Sequence, residues 1–198
     1  MGFLLNKKIM ISRINSRVIG RFVLKFNKIV YKGNLNMYGI PNIYKAKGSK
    51  IELGKGVTII SKDYANPVGI LRPVTLRTMN ASSEIKIGDN TGISGSVVCS
   101  QISINIGSNV LIGSNVVICD TDLHPTKIEN RRFSNQNIKS KPIKIEDNVW
   151  IGMNSTILKG VTIGENSVVG AGSVVVTSIP ENCIAGGNPA KVIKYLDA

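Results

Sequence analysis

The chain has 198 residues, 42% hydrophobic but only 5% aromatic, with 20 glycines, a composition that suits short strands and tight turns in one domain better than a helical bundle. No run of about 18 uncharged apolar residues exists, which excludes a transmembrane helix, and charges interrupt the N-terminus too often for a secretory signal. The formal charge is +13, yet residues 1–32 hold eight Lys or Arg and no acid, so the excess belongs mainly to one segment.

Within that segment Arg13, Arg17, Arg21 and Lys25 recur every four residues. Ile11, Ile14, Val18, Phe22, Phe26 and Ile29 form an opposing apolar stripe, so an amphipathic helix is expected. Such a helix either packs its stripe on the rest of the protein or lies on an anionic membrane. Residues 1–32 are therefore set apart from a main domain over 33–198. No nucleic-acid recognition motif accompanies the charge, so nucleic acid is not expected as a partner. The three cysteines, Cys99, Cys119 and Cys183, are odd in number and form no C-x-x-C pair, which points to buried thiols in a reducing, cytoplasmic setting.

The next signal is a phrase, aliphatic-x-aliphatic-Gly, at Ile51-Leu53-Gly54, Ile85-Ile87-Gly88 and Ile104-Ile106-Gly107. The stretch between residues 53 and 87 is less regular. From Ile106 the chain falls into a six-residue period, Ile106, Ile112 and Ile118, which resumes as Ile145, Ile151, Ile157, Ile163, Val169 and Val175. Four residues after each of the last six comes a small or β-branched residue: Val149, Ser155, Val161, Ser167, Ser173 and Ile179. A helix needs a period of 3.6 and an ordinary strand a period of two. A period of six fits short strands joined at regular corners, three hexapeptides to a triangular coil, with Asn109, Asn115, Asn148 and Asn166 at turns that require left-handed backbone angles. The expected class is all-β, a parallel β-helix with an N-terminal amphipathic helix. The repeat does not fix the hand of the coil.

The spacing from Ile106 to Ile145 exceeds one coil by about a loop of twenty residues, so a polar, basic loop at about 124–144 must leave the stack. Counting six from Ile118 lands on His124, the one histidine, which puts an ionisable ring at an inward repeat position where the loop departs. Asp120 and Asp122 in the phrase Cys119-Asp120-Thr121-Asp122-Leu123-His124-Pro125 either orient that ring or are solvated turn residues.

The stretch from about Ile85 to Leu196 resembles the galactoside, maltose and Nod-factor O-acetyltransferases, and more closely the polysaccharide-biosynthesis acetyltransferases, of the hexapeptide-repeat family. The phrases that carry the resemblance are Ile106-Gly107-Ser108-Asn109-Val110, Asp120 to Pro125, Asn148-Val149-Trp150-Ile151-Gly152, Val169-Gly170-Ala171-Gly172-Ser173 and Gly187-Asn188-Pro189-Ala190-Lys191-Val192-Ile193. Residues 1–50 are not covered well. The resemblance implies a left-handed coil, a homotrimer with sites between subunits, acetyl-CoA as co-substrate, and His124 as the catalytic base. Imidazole suits that task, because a sugar hydroxyl is a poor nucleophile unless its proton is taken as it attacks.

The same resemblance assigns Trp150, Gly152, Met153, Ala171 and Gly172 to the thioester and pantetheine, and Lys191 and Lys194 to the phosphates. A departure is Val176-Thr177, where family members often carry Thr-Lys. On the acceptor side the sugar-binding asparagine of the galactoside enzymes has no counterpart in Ile93-Ser94-Gly95-Ser96, which leaves Ser94, Ser96 and Asp122 as candidates to bond a hydroxyl. No metal is expected, since one histidine cannot supply the three ligands of a zinc anhydrase on this fold. The implied function is O-acetylation of a sugar hydroxyl in surface polysaccharide biosynthesis, in the cytoplasm or at the inner face of its membrane. An amino-sugar N-acetyltransferase and a non-catalytic β-helix scaffold are the alternatives.

Overall fold

Aliphatic side chains six residues apart all turn inward, and the computed structural model shows what they turn toward. It describes residue 16, residues 18–129 and residues 131–197. Three parallel sheets wrap into a triangular prism. The first face stacks Val30–Tyr31, Lys50–Leu53, Glu84–Ile87, Ser103–Ile106, Ile143–Ile145 and Thr162–Ile163. The second runs from Asn36–Tyr38 through Thr58–Ile60, Gly92–Ser94, Leu111–Ile112, Trp150–Ile151 and Val168–Val169 to Cys183–Gly187. The third stacks Asn42–Tyr44, Thr75–Thr78, Val97–Ser100, Val117–Cys119, Thr156–Leu158 and Val174–Val175.

Pairing in register makes ladders of like side chains. Leu53, Ile87, Ile106, Ile145 and Ile163 stack on the first face. Ile59, Ile93, Ile112, Ile151, Val169 and Ala185 stack on the second. Leu76, Val98, Ile118, Ile157 and Val175 stack on the third. All of these are buried in one continuous core, each Leu, Ile or Val side chain contributing about 1.5–3 kcal/mol through loss of apolar surface from water.

The corners follow from backbone angles. Asn109, Asn115, Asn148 and Asn166 take φ of 58°, 63°, 57° and 61°, the left-handed region that asparagine tolerates better than most residues. Their amides also run a ladder: Asn148 Nδ2 donates to Asn166 Oδ1 at 3.2 Å, and Asn166 Nδ2 to Asn182 Oδ1 at 2.8 Å.

The irregular stretch after residue 53 contains a second excursion. Residues 61–74 leave the corner between the second and third faces, with a 3-10 turn at Asp63–Ala65. Asn115 Oδ1 anchors it by accepting the Leu71 N–H at 2.8 Å. Ile70 presses on Gly95, where a Cβ would lie 2.7 Å from the Ile70 Cβ, so only glycine fits beneath the loop.

The ends of the prism are closed differently. Ala190–Tyr195 folds back antiparallel on Cys183–Gly187. At the other end a helix at 18–26 covers the first coil. Leu24 and Ile29 are buried, Gly20 lies against Met37, and Ser16 Oγ accepts the Gly39 N–H at 2.9 Å. The expected apolar stripe is corrected here. Val18, Phe22 and Phe26 face solvent, and the docked edge is Gly20 and Leu24. Ile11 and Ile14 of the stripe lie outside the described residues. The first strand, Val30–Tyr31, falls inside the segment set apart as 1–32, so the β-helix begins before residue 33.

Candidate functional site

The long loop leaves the stack after Val117–Cys119 and returns at Ile143–Ile145, bracketing residues 120–142. Its neck is built from polar side chains. Asp120 is fully buried, and its carboxylate accepts the Gln101 N–H at 2.6 Å, the Ile102 N–H at 2.8 Å and the Ser100 hydroxyl at 3.0 Å. It therefore takes the place of a backbone acceptor at the corner of the neighbouring coil, and is neither a solvated turn residue nor a partner of the histidine. Thr121 and Ser140 close the neck as an isolated antiparallel bridge, with the Ser140 hydroxyl donating to Thr121 Oγ1 at 2.8 Å. Asp122 is half-buried and forms an ion pair with Lys159 of the next coil. Its carboxylate is thus engaged with Lys159, and its N–H donates to the Lys139 carbonyl at 3.0 Å.

Leu123 follows at φ 63°, a left-handed conformation that costs a leucine about 1–2 kcal/mol. The Thr121 hydroxyl accepts its N–H at 3.3 Å. The effect of this turn is to carry His124 outward. His124 is exposed, which corrects the inward position obtained by counting six from Ile118. The six-residue register ends at Asp120, because the buried carboxylate starts the excursion four residues before the histidine. Beside Leu123 lies a cleft of about 240 Å³ between loop and prism, lined by Met79, Gln101, Thr121, Asn135, Asn137 and Ser140. Its amides and hydroxyls are of the kind that bond polyols.

A second group of predicted residues gathers at another corner. Gly152, Met153, Ala171 and Gly172 stack between the second and third faces, with the Gly172 N–H donating to the Met153 carbonyl at 2.8 Å. Gly152 is buried, and a Cβ there would lie 2.8 Å from the Ala171 Cα, so close stacking of coils requires this glycine. Ala171 and Gly172 are exposed, and a Cβ on Gly172 would meet nothing within 4 Å, so this part of the ridge borders open space. Trp150 precedes the ridge on the second face, pointing outward at 53% exposure, in register with Leu111 below and Val168 above. Lys191 pairs with Gly186 and Lys194 with Ile184 on the closing hairpin, and both lysines are exposed.

Within one chain these groups stand apart. His124 follows the C-terminal ends of the third-face strands, whereas the ridge precedes their N-terminal ends. Ser94 and Ser96 do not join either group. Both are buried, and the Ser96 hydroxyl donates to the Ser94 and Gly113 carbonyls at 2.8 and 2.9 Å while accepting the Val116 N–H at 3.1 Å. The Ser96 hydroxyl thus satisfies backbone groups at a corner, which corrects its assignment to the acceptor.

Sequence reasoning had passed over two features. Lys159 carried no signal, because its partner lies 37 residues away on a different coil. Cys99 and Cys119 pair in register on the third face, both nearly buried. The Cys119 thiol donates to the Thr121 carbonyl at 3.3 Å, and the two neighbouring thiols shift one another in opposite directions, Cys119 down to about 7 and Cys99 up, with burial adding to the rise of Cys99. Among the described residues no group of three or more His, Cys, Asp or Glu is placed to hold a metal ion.

Comparison with known proteins yields a match of residues 142–177 to the bacterial transferase hexapeptide (six repeats) model. The galactoside O-acetyltransferase of Escherichia coli K12 is 43% identical over 116 residues, which are 58% of this chain and 56% of that protein. The chain spans about half the length of the curated relatives it matches. Among solved structures, a hexapeptide-repeat acetyltransferase of Vibrio cholerae complexed with acetyl coenzyme A is 32% identical, with a TM-score of 0.58 over 77% of this chain and 73% of that one. A maltose O-acetyltransferase of Clostridium difficile is 25% identical, with a TM-score of 0.53 over 98% and 89%. The fold is the left-handed parallel β-helix.

Proposed function

The chain belongs to the hexapeptide-repeat acetyltransferases, and from that premise we propose that it moves an acetyl group from acetyl-CoA to a saccharide hydroxyl, with His124 as general base. The observation that carries this reading is an exposed imidazole at the mouth of a braced loop, one residue along the chain from Leu123, which lines a cleft of amides and hydroxyls. His124 takes the proton of the acceptor hydroxyl as its oxygen attacks the thioester carbonyl. The thioester C–S bond then breaks, the ester C–O bond remains, and the departing thiolate regains the proton from the imidazolium. Gln101, Asn135 and Asn137 would bond the remaining hydroxyls of the acceptor.

The separation of His124 from the small-residue ridge supports a shared site. A closed three-fold ring would bring the histidine corner of one subunit to the ridge and Trp150 of the next, so we infer a homotrimer. Exposed Leu111 and Trp150 on the second face supply apolar surface for such a contact. In this arrangement Trp150, Met153, Ala171 and Gly172 border the pantetheine arm, and Lys191 and Lys194 face the phosphates. Surface polysaccharide precursors in the cytoplasm are the acceptors this reading favours.

The test is incubation with acetyl-CoA and a panel of cell-surface saccharides, followed by thiol release and mass spectrometry. The reading expects thiol release that depends on a saccharide, and a product whose acetyl group is lost in mild alkali, as an ester is. A product stable to alkali would mean attack by an amine, the N-acetyltransferase alternative. Absence of transfer to every acceptor would leave the scaffold.

A further inference from the structure

We propose that the N-terminal helix is a docking surface for an anionic lipid bilayer. The helix at 18–26 is oriented by its contacts with the first coil: Gly20 against Met37, Leu24 in the core, and Ser16 Oγ bonded to the Gly39 N–H. That orientation commits the opposite side to solvent. There Phe22 is 69% exposed and Phe26 88%, with Val18 and Val30 more than half exposed beside them. A contiguous set of large apolar side chains on a surface marks a contact with something apolar.

What surrounds the set names the partner. Arg21, Lys25, Lys28 and Lys32 are exposed next to it, and residues 1–32 contain no acid. Arg21 and Lys25 share with Val18, Phe22 and Tyr31 the lining of an open cleft of about 360 Å³. Rings that sink below the phosphates, with cations held at phosphate level, match the layered chemistry of an anionic membrane surface. A second copy of the same face is disfavoured, because Arg21, Lys25, Lys28 and Lys32 would meet their own copies with only Glu52, beside Val30, to offset them. Among the described residues no helix is long and apolar enough to cross a membrane, so the helix lies on the bilayer. The docking would hold the loop and its cleft close to saccharides carried on lipid.

The experiment is co-sedimentation of the full chain with vesicles of phosphatidylcholine alone and of an equimolar phosphatidylcholine–phosphatidylglycerol mixture. Binding to the mixed vesicles, weak binding to the neutral ones, and release at high salt are expected. Phe22→Ser with Phe26→Ser, and separately Arg21→Gln with Lys25→Gln, should each lower partition about tenfold or more. Acetyl transfer to a water-soluble acceptor should be unchanged in both variants. Equal partition onto neutral and mixed vesicles, or variants that bind as the wild type does, would overturn the proposal. A change of oligomeric mass in the phenylalanine variant would instead make the face a subunit contact and overturn it as well.

Discussion

Asp120→Ala is the perturbation with the largest effect that the loop neck predicts. The carboxylate has no exposed surface, and it accepts two backbone N–H groups and one hydroxyl from residues 100–102. Hydrogen bonds to a charged group contribute about 1.5–3 kcal/mol each. The Ser100 hydroxyl can still donate to the Glu84 carbonyl at 3.0 Å. The loss therefore falls on the Gln101 and Ile102 N–H groups, and the sum is about 3–5 kcal/mol. That is a large share of the roughly 5–15 kcal/mol that holds a native domain together. Asp120→Asn keeps one acceptor oxygen but turns an NH2 toward a backbone N–H, so its cost should be about half. Urea denaturation at neutral pH, followed by circular dichroism, measures both. An Asp120→Ala protein within about 1 kcal/mol of the wild type would refute the argument that this carboxylate braces the corner from which His124 departs.

Asn166→Ala should destabilise by about 1–2 kcal/mol, because a left-handed φ is costly for alanine and the amide ladder is cut. Asn166→Gly should cost less, and a melting curve that ranks glycine below alanine would contradict the backbone argument. The Cys99–Cys119 pair predicts a thiolate absorbance that appears near pH 7 in the folded protein and vanishes in Cys119→Ser. Because the folded Cys119 value lies below its ordinary 9.0, its thiolate adds stability as pH rises from about 7 toward 9 and loses it as pH falls back, while above 9 the raised Cys99 thiol acts in the opposite direction. Denaturation midpoints should therefore rise from pH 7 to 9 more steeply in the wild type than in Cys119→Ser.

The prism was legible because its cause is local and repeated. Each of Ile145, Ile151, Ile157, Ile163, Val169 and Val175 meets its equivalent one coil away, and a stack of like residues leaves a period in the sequence. The loop was legible by subtraction, since residues between Ile106 and Ile145 exceed what a coil can hold. The excursion at 61–74 was not, because neither Ser61 nor Val74 departs from the residue types found at ordinary corners. Ser96 looked like an acceptor ligand for the same reason: a serine satisfying a backbone group reads identically to one awaiting a sugar. His124 was singled out by its position, but its direction was misread, because the counting carried past Asp120. The helix stripe failed on Gly20, whose missing side chain let Met37 approach and so turned Phe22 and Phe26 outward.

The rate of acetyl transfer by His124→Ala and His124→Gln, compared with wild type at saturating acetyl-CoA, tests the role of the imidazole. Both variants should melt as the wild type does, since the ring is exposed, and kcat/KM for the saccharide should fall about 10²–10⁴-fold. Well-folded variants that transfer acetyl groups within a few-fold of the wild-type rate would contradict the assignment of His124 as the base.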